Sequence, residues 1–255
     1  MTDFASPDVL ADGRLAAELA TAAGRLLLDV SAELADASPR ERGAEGDRRA
    51  HDLLAERLAQ ARPADSLLSE EGADGTGRLS ADRVWIVDPL DGTREFGEPG
   101  RTDWAVHVAL WQSGELVAGA VALPAQDRTF STTEPVALPP ADGLLRLVVS
   151  RSRPPALVTR LAQRLGAQLV PLGSAGAKAM TVLQGRSDAY VHAGGMYEWD
   201  SAAPVAVARA CGLHTSRIDG SPLVYNAADP YLPDLVICRP ELASVLLTAI
   251  ADVSG

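Results

Sequence analysis

The chain has 255 residues, with 23 Lys and Arg against 34 Asp and Glu, for a formal net charge of −11. At roughly 150 residues per domain this length holds one large domain or two small ones, with core enough to fold without a metal or disulfide staple. The acidic balance excludes a broad basic footprint for nucleic-acid polymers or anionic membranes, and it makes a phosphate-bearing ligand a puzzle, because the protein as a whole repels one.

The first residues, MTDFASPDVLAD, carry acid where a secretory leader carries basic residues and an apolar run, and no apolar stretch nears the ~20 residues that span a bilayer. A cytoplasmic protein is expected. Leu15, Leu19, Leu26, Leu27 and Val30 recur at helical spacing and predict a first amphipathic helix. After the polar stretch DASPRERGAEG, a second helix is expected to open near Asp47 and to run through Leu53, Leu54 and Leu58 to a stop at Pro63. Short β-like runs follow: SLLSE, RVWIVDP, WAVHVALW, ELVAGAVALP and RTFSTT, with a hairpin turn at Ser113-Gly114. The Pro-rich stretch TTEPVALPPADG marks a boundary between residues 1–143 and 144–255. Beyond it, strands LLRLVVS, QLVPLG, DAYVHA and DLVICR alternate with helices over 154–165, 174–183, 200–210 and 241–253. The reading is an α/β protein: two helices and a mostly antiparallel sheet, then a layered α/β half. Cys211 and Cys238 lie far apart with no C-x-x-C pairing and are read as small core residues.

The informative residues are acids at the ends of apolar strands. In VWIVDPLDGT, Asp88 closes a strongly β-forming run, Pro89 forbids its continuation as a central strand, and Asp91 follows in a turn that Gly92 tightens. Two carboxylates at that spacing can face one point, as a hard divalent cation such as Mg²⁺ requires. Glu70 and Glu71 end another apolar run, and Asp200 stands where a helix should begin, as a cap or as a ligand. Each has a plain explanation alone; a solvated turn accounts for Glu70-Glu71. Their conjunction points to a metal site. Phosphatases with an aspartyl nucleophile carry D-x-D-x-T, two acids two residues apart. The spacing here is three, with Pro between, so hydrolysis by metal-activated water is expected instead of a covalent aspartyl phosphate.

SEE at 69–71, WIVDPLDGT at 85–93 and EWDSAA at 198–203 resemble the three signatures of the inositol monophosphatase superfamily. The resemblance implies a layered αβαβα fold and a Mg²⁺-dependent, lithium-sensitive phosphatase with two or three metal ions per site, commonly a homodimer. It implies that Glu70, Asp88 and the carbonyl of Leu90 hold one ion and that Asp88, Asp91 and Asp200 hold a second. Thr93 and Asp47 match the pair that positions and deprotonates the attacking water, and Glu71 supports that water or a further ion. The amides of Gly92 and Thr93 match the phosphate cradle. The family has Thr where Ala44 stands; Asp47 is chosen over Glu45 because GDRRAHDLL reads as the onset of the second helix.

DPLDGTREF, VVSRSR at 148–153 and GSAGAKAM at 173–180 resemble the 3′(2′),5′-bisphosphate nucleotidase branch, the CysQ type, and its actinobacterial members in particular. That implies a small phosphorylated nucleotide as substrate, 3′-phosphoadenosine 5′-phosphate (PAP), with inositol phosphate or fructose 1,6-bisphosphate as the alternatives. Lys178, Arg94 and Arg151 are the cations available for a second phosphate, and Ser174 lies beside them. Tyr197 and Trp199 are candidates to flank a base, Trp199 being the better fit to simple packing. His107 and His192 are read as core or surface residues, since the acids already complete a hard-metal site. A protein that merely binds Ca²⁺ or Mg²⁺ is the alternative of another class, but it would need no Thr93–Asp47 pair.

Overall fold

The computed structural model describes residues 6–72, 76–141 and 143–254. It opens with two antiparallel-sheet-covering helices, α1 (Pro7–Glu33) and α2 (Pro39–Ala61). The second helix starts eight residues before the expected onset. DASPRERGAEG holds its start signal: Ser38 accepts the Glu41 N–H at 3.3 Å, Glu41 Oε2 accepts the Ser38 N–H at 3.1 Å, and Pro39 occupies the first helical position. Asp47 therefore sits about two turns inside α2, not at its start.

The strands β1 (Ser66–Ser69), β2 (Arg83–Asp91), β3 (Ala105–Gln112), β4 (Glu115–Leu123) and β5 (Arg128–Ser131) form one sheet in sequence order. Only the β1–β2 pair is parallel. Ser113 and Gly114, at φ 49° and 95°, make the turn between β3 and β4. A five-residue helix, α3 (Thr93–Gly97), follows β2. The second sheet has the order β7-β6-β8-β10-β9, built from β6 (Arg146–Ser150), β7 (Gln168–Leu172), β8 (Ala189–Tyr197), β9 (His214–Ser216) and β10 (Tyr231–Cys238). Its helices are α4 (Ala156–Leu165), α5 (Ala175–Leu183), α6 (Glu198–Ala210) and α7 (Ala243–Ser254). The short edge strand β9 went unread in the sequence, because three residues carry no periodicity.

Alternation along the strands builds the layers. Trp85 and Val87 of β2 pack under α1 and α2 with Leu19, Leu27 and Leu54, whereas Val84 and Ile86 face the opposite way, into a core shared with α5 and α6. Likewise Leu235 and Ile237 of β10 join that central core, while Val236 and Cys238 pack against α4 and α7. The result is the expected αβαβα order. α6 lies close on the first sheet because its face is small: a Cβ added at Gly119 of β4 would stand 2.8 Å from the Ala206 Cβ. Among the described residues, no helix is long and apolar enough to cross a membrane.

Candidate active site

β2 is paired on both sides up to Val87, where β1 ends. Beyond that point no strand among the described residues pairs on that edge, so Pro89 fits within an irregularity of register between Asp88 and Asp91, and the strand continues to Asp91 instead of ending at Asp88. The irregularity aims both acids at one place. Asp88, Asp91 and Asp200 each offer an oxygen, all within 4.8 Å of one another.

Each acid is fixed by backbone donors. Asp88, 1% exposed, accepts the Leu90 N–H at 3.0 Å. Asp91 accepts the N–H groups of Ala175 (3.1 Å) and Gly176 (2.6 Å) at the start of α5. Asp200 is the third residue of α6, not its cap; its Oδ2 accepts the Tyr197 N–H at 2.6 Å. Gly92 adopts a left-handed φ of 89°, and a Cβ there would meet the Ser174 Cβ at 2.9 Å, so only glycine lets the turn after Asp91 pass α5.

Desolvation pushes the Asp88 carboxyl well above the carboxylate range, reinforced by Asp91, Glu70 and Asp200. Glu70, which joins the cluster from the end of β1, is pushed up to about 8 by desolvation and by Asp200, Asp47 and Asp91. Asp200 rises to about 6, by burial first and then by Asp91. Asp91 is the exception: burial opposes its ionisation, but His107, Lys178 and the Gly176 N–H outweigh it and hold the carboxyl low. Such a cluster is short of positive charge. The carboxylates and the adjoining carbonyls are the donor set of a hard divalent cation, so the residues present fit one.

His107 is the contact that sequence reading missed. The buried ring lies with Nδ1 3.0 Å from the Trp199 carbonyl and Nε2 3.2 Å from Asp91 Oδ2. A carbonyl only accepts, so Nδ1 carries the proton there, and Nε2 meets the carboxylate favourably as part of an imidazolium. Burial works against that charge, yet Asp91 raises the His107 pKa above its ordinary value. The available signal was one histidine inside the apolar strand WAVHVALW, which needs a buried partner; in register it pairs with Asp88.

Asp47 faces Thr93 from α2. The helices approach because residue 43 is glycine: a Cβ there would meet the Thr93 Cγ2 at 2.7 Å. The Thr93 hydroxyl donates to the Leu90 carbonyl at 3.2 Å and lies near enough to Asp47 to favour its ionised carboxylate. Asp47 is pushed up to about 7 by burial and then by the charge of Glu71, against the pull of Thr93, and its Oδ1 is buried without a partner.

Two chambers flank the cluster and share Arg94. One, of about 600 Å³, is lined by Asp47, Glu71, Thr93, Ala44 and Arg40. The other, of about 440 Å³, is lined by Asp91, Gly92, Asp200, Ser174, Lys178 and the exposed rings of Tyr197 and Tyr231, among others. The buried Lys178 ammonium donates to the Gly173 carbonyl and lies 5.3 Å from the Tyr190 ring centroid. Tyr197 stacks on Trp199 at 4.7 Å, and Trp199 itself packs against the central core. Arg151 does not line either chamber. Its guanidinium donates to Glu95 and to Glu98, each at 2.6 Å.

A model of the inositol monophosphatase family matches residues 12–136 and 143–253. The chain belongs to the inositol monophosphatase family. Within the family it is of the actinobacterial CysQ type. It is 55% identical over 239 residues to the 3′-phosphoadenosine 5′-phosphate phosphatase of Mycobacterium tuberculosis (strain CDC 1551 / Oshkosh), with 90% of each protein covered. It is 51% identical over 257 residues to that of Mycobacterium leprae (strain TN), with 96% of this chain and 95% of that one covered. The fold is similar to that of CysQ from Bacteroides thetaiotaomicron, with a TM-score of 0.78 at 27% identity over 90% of this chain and 97% of the other. This family member thus carries acids of two motifs, Asp88, Asp91 and Asp200, at one point, with Glu70 of the third near enough to feel their charge, the Asp47–Thr93 pair on one side and a polar, aromatic-rimmed chamber on the other.

Proposed function

We infer that the protein is a divalent-metal-dependent phosphomonoesterase that hydrolyses the 3′-phosphate of 3′-phosphoadenosine 5′-phosphate, giving AMP and phosphate. The observation that carries this reading is the acid cluster between two chambers, one holding a proton acceptor and the other wide enough for a nucleoside. The likeness to the mycobacterial enzymes supports the choice of nucleotide. A protein that only stored a cation would have no use for Asp47 and Thr93.

Glu70, Asp88 and the Leu90 carbonyl would hold one Mg²⁺, Asp88, Asp91 and Asp200 a second, and Glu71 would serve a third; such ions supply the positive charge that offsets phosphoryl oxygens and stabilises the developing charge of in-line displacement. The chain's own groups do the rest. Thr93 orients the attacking water with its hydroxyl oxygen, and Asp47 accepts the proton. A carboxyl that titrates near 7 suits that task, because it is free to take a proton at neutral pH and basic enough to keep it. The N–H groups of Gly92 and Thr93, at the start of α3, face the phosphate. As the water oxygen bonds to phosphorus, the P–O3′ bond breaks, O3′ takes up a proton from solvent, and AMP is left in the chamber of Lys178, Tyr197 and Tyr231. Arg94 borders both chambers and is placed to follow the phosphate, while Ser174 caps α5 through the Ala177 N–H at 2.9 Å and so fixes the wall of the nucleoside chamber. Arg151 acts there through Glu95, not on a phosphate directly.

Residues 1–143, with the metal-binding motifs, and 144–255, completing the metal and substrate site, are proposed as the two halves of the enzyme, in a cytoplasmic homodimer. Sedimentation at micromolar concentration tests the dimer. The reaction is tested by kcat/KM with Mg²⁺ for PAP, inositol 1-phosphate and fructose 1,6-bisphosphate. PAP is expected to lead, and a preference for the sugar bisphosphate would refute the assignment.

A further inference from the structure

The crevice beyond β6 and β7 holds a cation that the mechanism above does not use. From β6 the chain passes to α4, which packs with α7 on the outer face of the second sheet. From β7 it passes to α5, which packs with α6 between the sheets. Adjacent parallel strands whose connections leave for opposite faces open a ligand crevice at their carboxyl ends. One wall here is the segment after β6, with Ser150, Ser152 and Arg153; the other is Gly173, Ser174 and the first turns of α5. Both walls line the nucleoside chamber.

The other cations at this end are committed. Arg151 is held by two carboxylates at 2.6 Å. Lys178 is buried, bonded to the Gly173 carbonyl, and faces Asp91, Glu95 and Asp200. Arg94 stands 3.4 Å from Glu98. Arg153 differs from all three: it is exposed, it lines the chamber, and among the described residues its guanidinium has no carboxylate partner. Its backbone is nevertheless fixed. The Arg153 N–H donates to Ser150 Oγ at 3.3 Å, and Pro154 and Pro155 follow directly, restricting the chain on its far side.

We propose that Arg153 binds the phosphate that is not hydrolysed, the 5′-phosphate of a nucleoside 3′,5′-bisphosphate, and so sets the preference for bisphosphates over monophosphates. This rests on the nucleotide reading above. A guanidinium presents a planar fork of donors that matches phosphate oxygens two at a time. Arg153 gives up no ion pair to do so, whereas Arg151 would have to break two.

The test compares wild type, Arg153→Ala, Arg153→Lys and Arg151→Ala on PAP and on adenosine 3′-monophosphate, which lacks the 5′-phosphate. Product inhibition by AMP and by adenosine is measured alongside. In Arg153→Ala the preference for PAP over the monophosphate is expected to fall about 10- to 100-fold, through KM for PAP more than through kcat. The inhibition constant of AMP should rise by a similar factor relative to that of adenosine, with Arg153→Lys intermediate. Both ratios unchanged in Arg153→Ala, or changed only in Arg151→Ala, would overturn the assignment while leaving the nucleotide reading intact. A wild-type enzyme that hydrolyses PAP no better than inositol 1-phosphate would overturn that reading and this inference together.

Discussion

At its first residue β2 carries Arg83, whose guanidinium donates to Asp65 Oδ1 at 3.0 Å and to Asp12 Oδ2 at 2.8 Å; at its last it carries Asp91, one of three acids gathered within 4.8 Å. The first end is self-sufficient. Asp12 also accepts from Arg62 at 2.9 Å, and Asp65 from the Trp85 indole at 2.9 Å, so each largely buried acid meets a built-in cation and a further donor. The other end has backbone donors but too little charge, and its carboxyls, Asp91 excepted, are driven up by burial and by one another. One strand thus shows two uses of a buried acid. Where the chain supplies the counter-charge the pair is structural, and where it withholds it the charge must come from solution. That resolves the puzzle of an acidic protein with a phosphate substrate: divalent cations held by the acids bring the positive charge that the chain withholds.

Substitutions at the two ends should separate these uses. Asp88→Asn should have the largest effect, lowering kcat/KM for PAP by about 10³-fold at saturating Mg²⁺ without unfolding the protein. Steady-state kinetics with a melting curve checks both, and near-native turnover would remove Asp88 from the metal site. Arg83→Met should do the reverse. It leaves the buried Asp65 without a cation and Asp12 with Arg62 alone, and is expected to cost about 3 kcal/mol in chemical denaturation, with kcat kept in the folded fraction. Thr93→Ala should lower kcat about 10²-fold with little change in the Mg²⁺ concentration needed, since it disturbs proton transfer and not the ligands. His107→Gln should raise the Mg²⁺ concentration for half-maximal activity about tenfold, because Asp91 loses the group that orients it. An unchanged Mg²⁺ requirement would make His107 a core residue and nothing more.

Much of this was legible beforehand because it is written in short-range chemistry. The strands of the first sheet follow from apolar runs broken by Gly and Pro, and the acids of the site lie in segments that name themselves by spacing. What was hidden depends on partners distant in sequence. The second helix reads short in the sequence because SPRE looks like a polar linker, although its Ser and Glu close a capping box. β2 reads as ending before Pro89, since nothing in the sequence says that β1 has already ended there. Arg151 and Arg153 are alike as letters; only the fold brings Glu95 and Glu98 to one of them and leaves the other free to face the chamber.

The central claim, that the cluster at the end of β2 lacks its cation by design, is tested most directly by thermal melting with and without Mg²⁺ at two pH values. Glu70, Asp47 and Asp200 titrate at about 8, 7 and 6 in the folded protein, well above the ~4 of an unfolded chain. Between those limits the folded state keeps protons that the unfolded state has released, so metal-free stability is full at low pH and is lost as pH rises toward about 8. Mg²⁺ should therefore raise the melting temperature of the wild type more at about pH 8 than at about pH 5.5, and should do so far less in Asp88→Asn. An equal Mg²⁺ shift at both pH values, or one that survives in Asp88→Asn, would contradict the account.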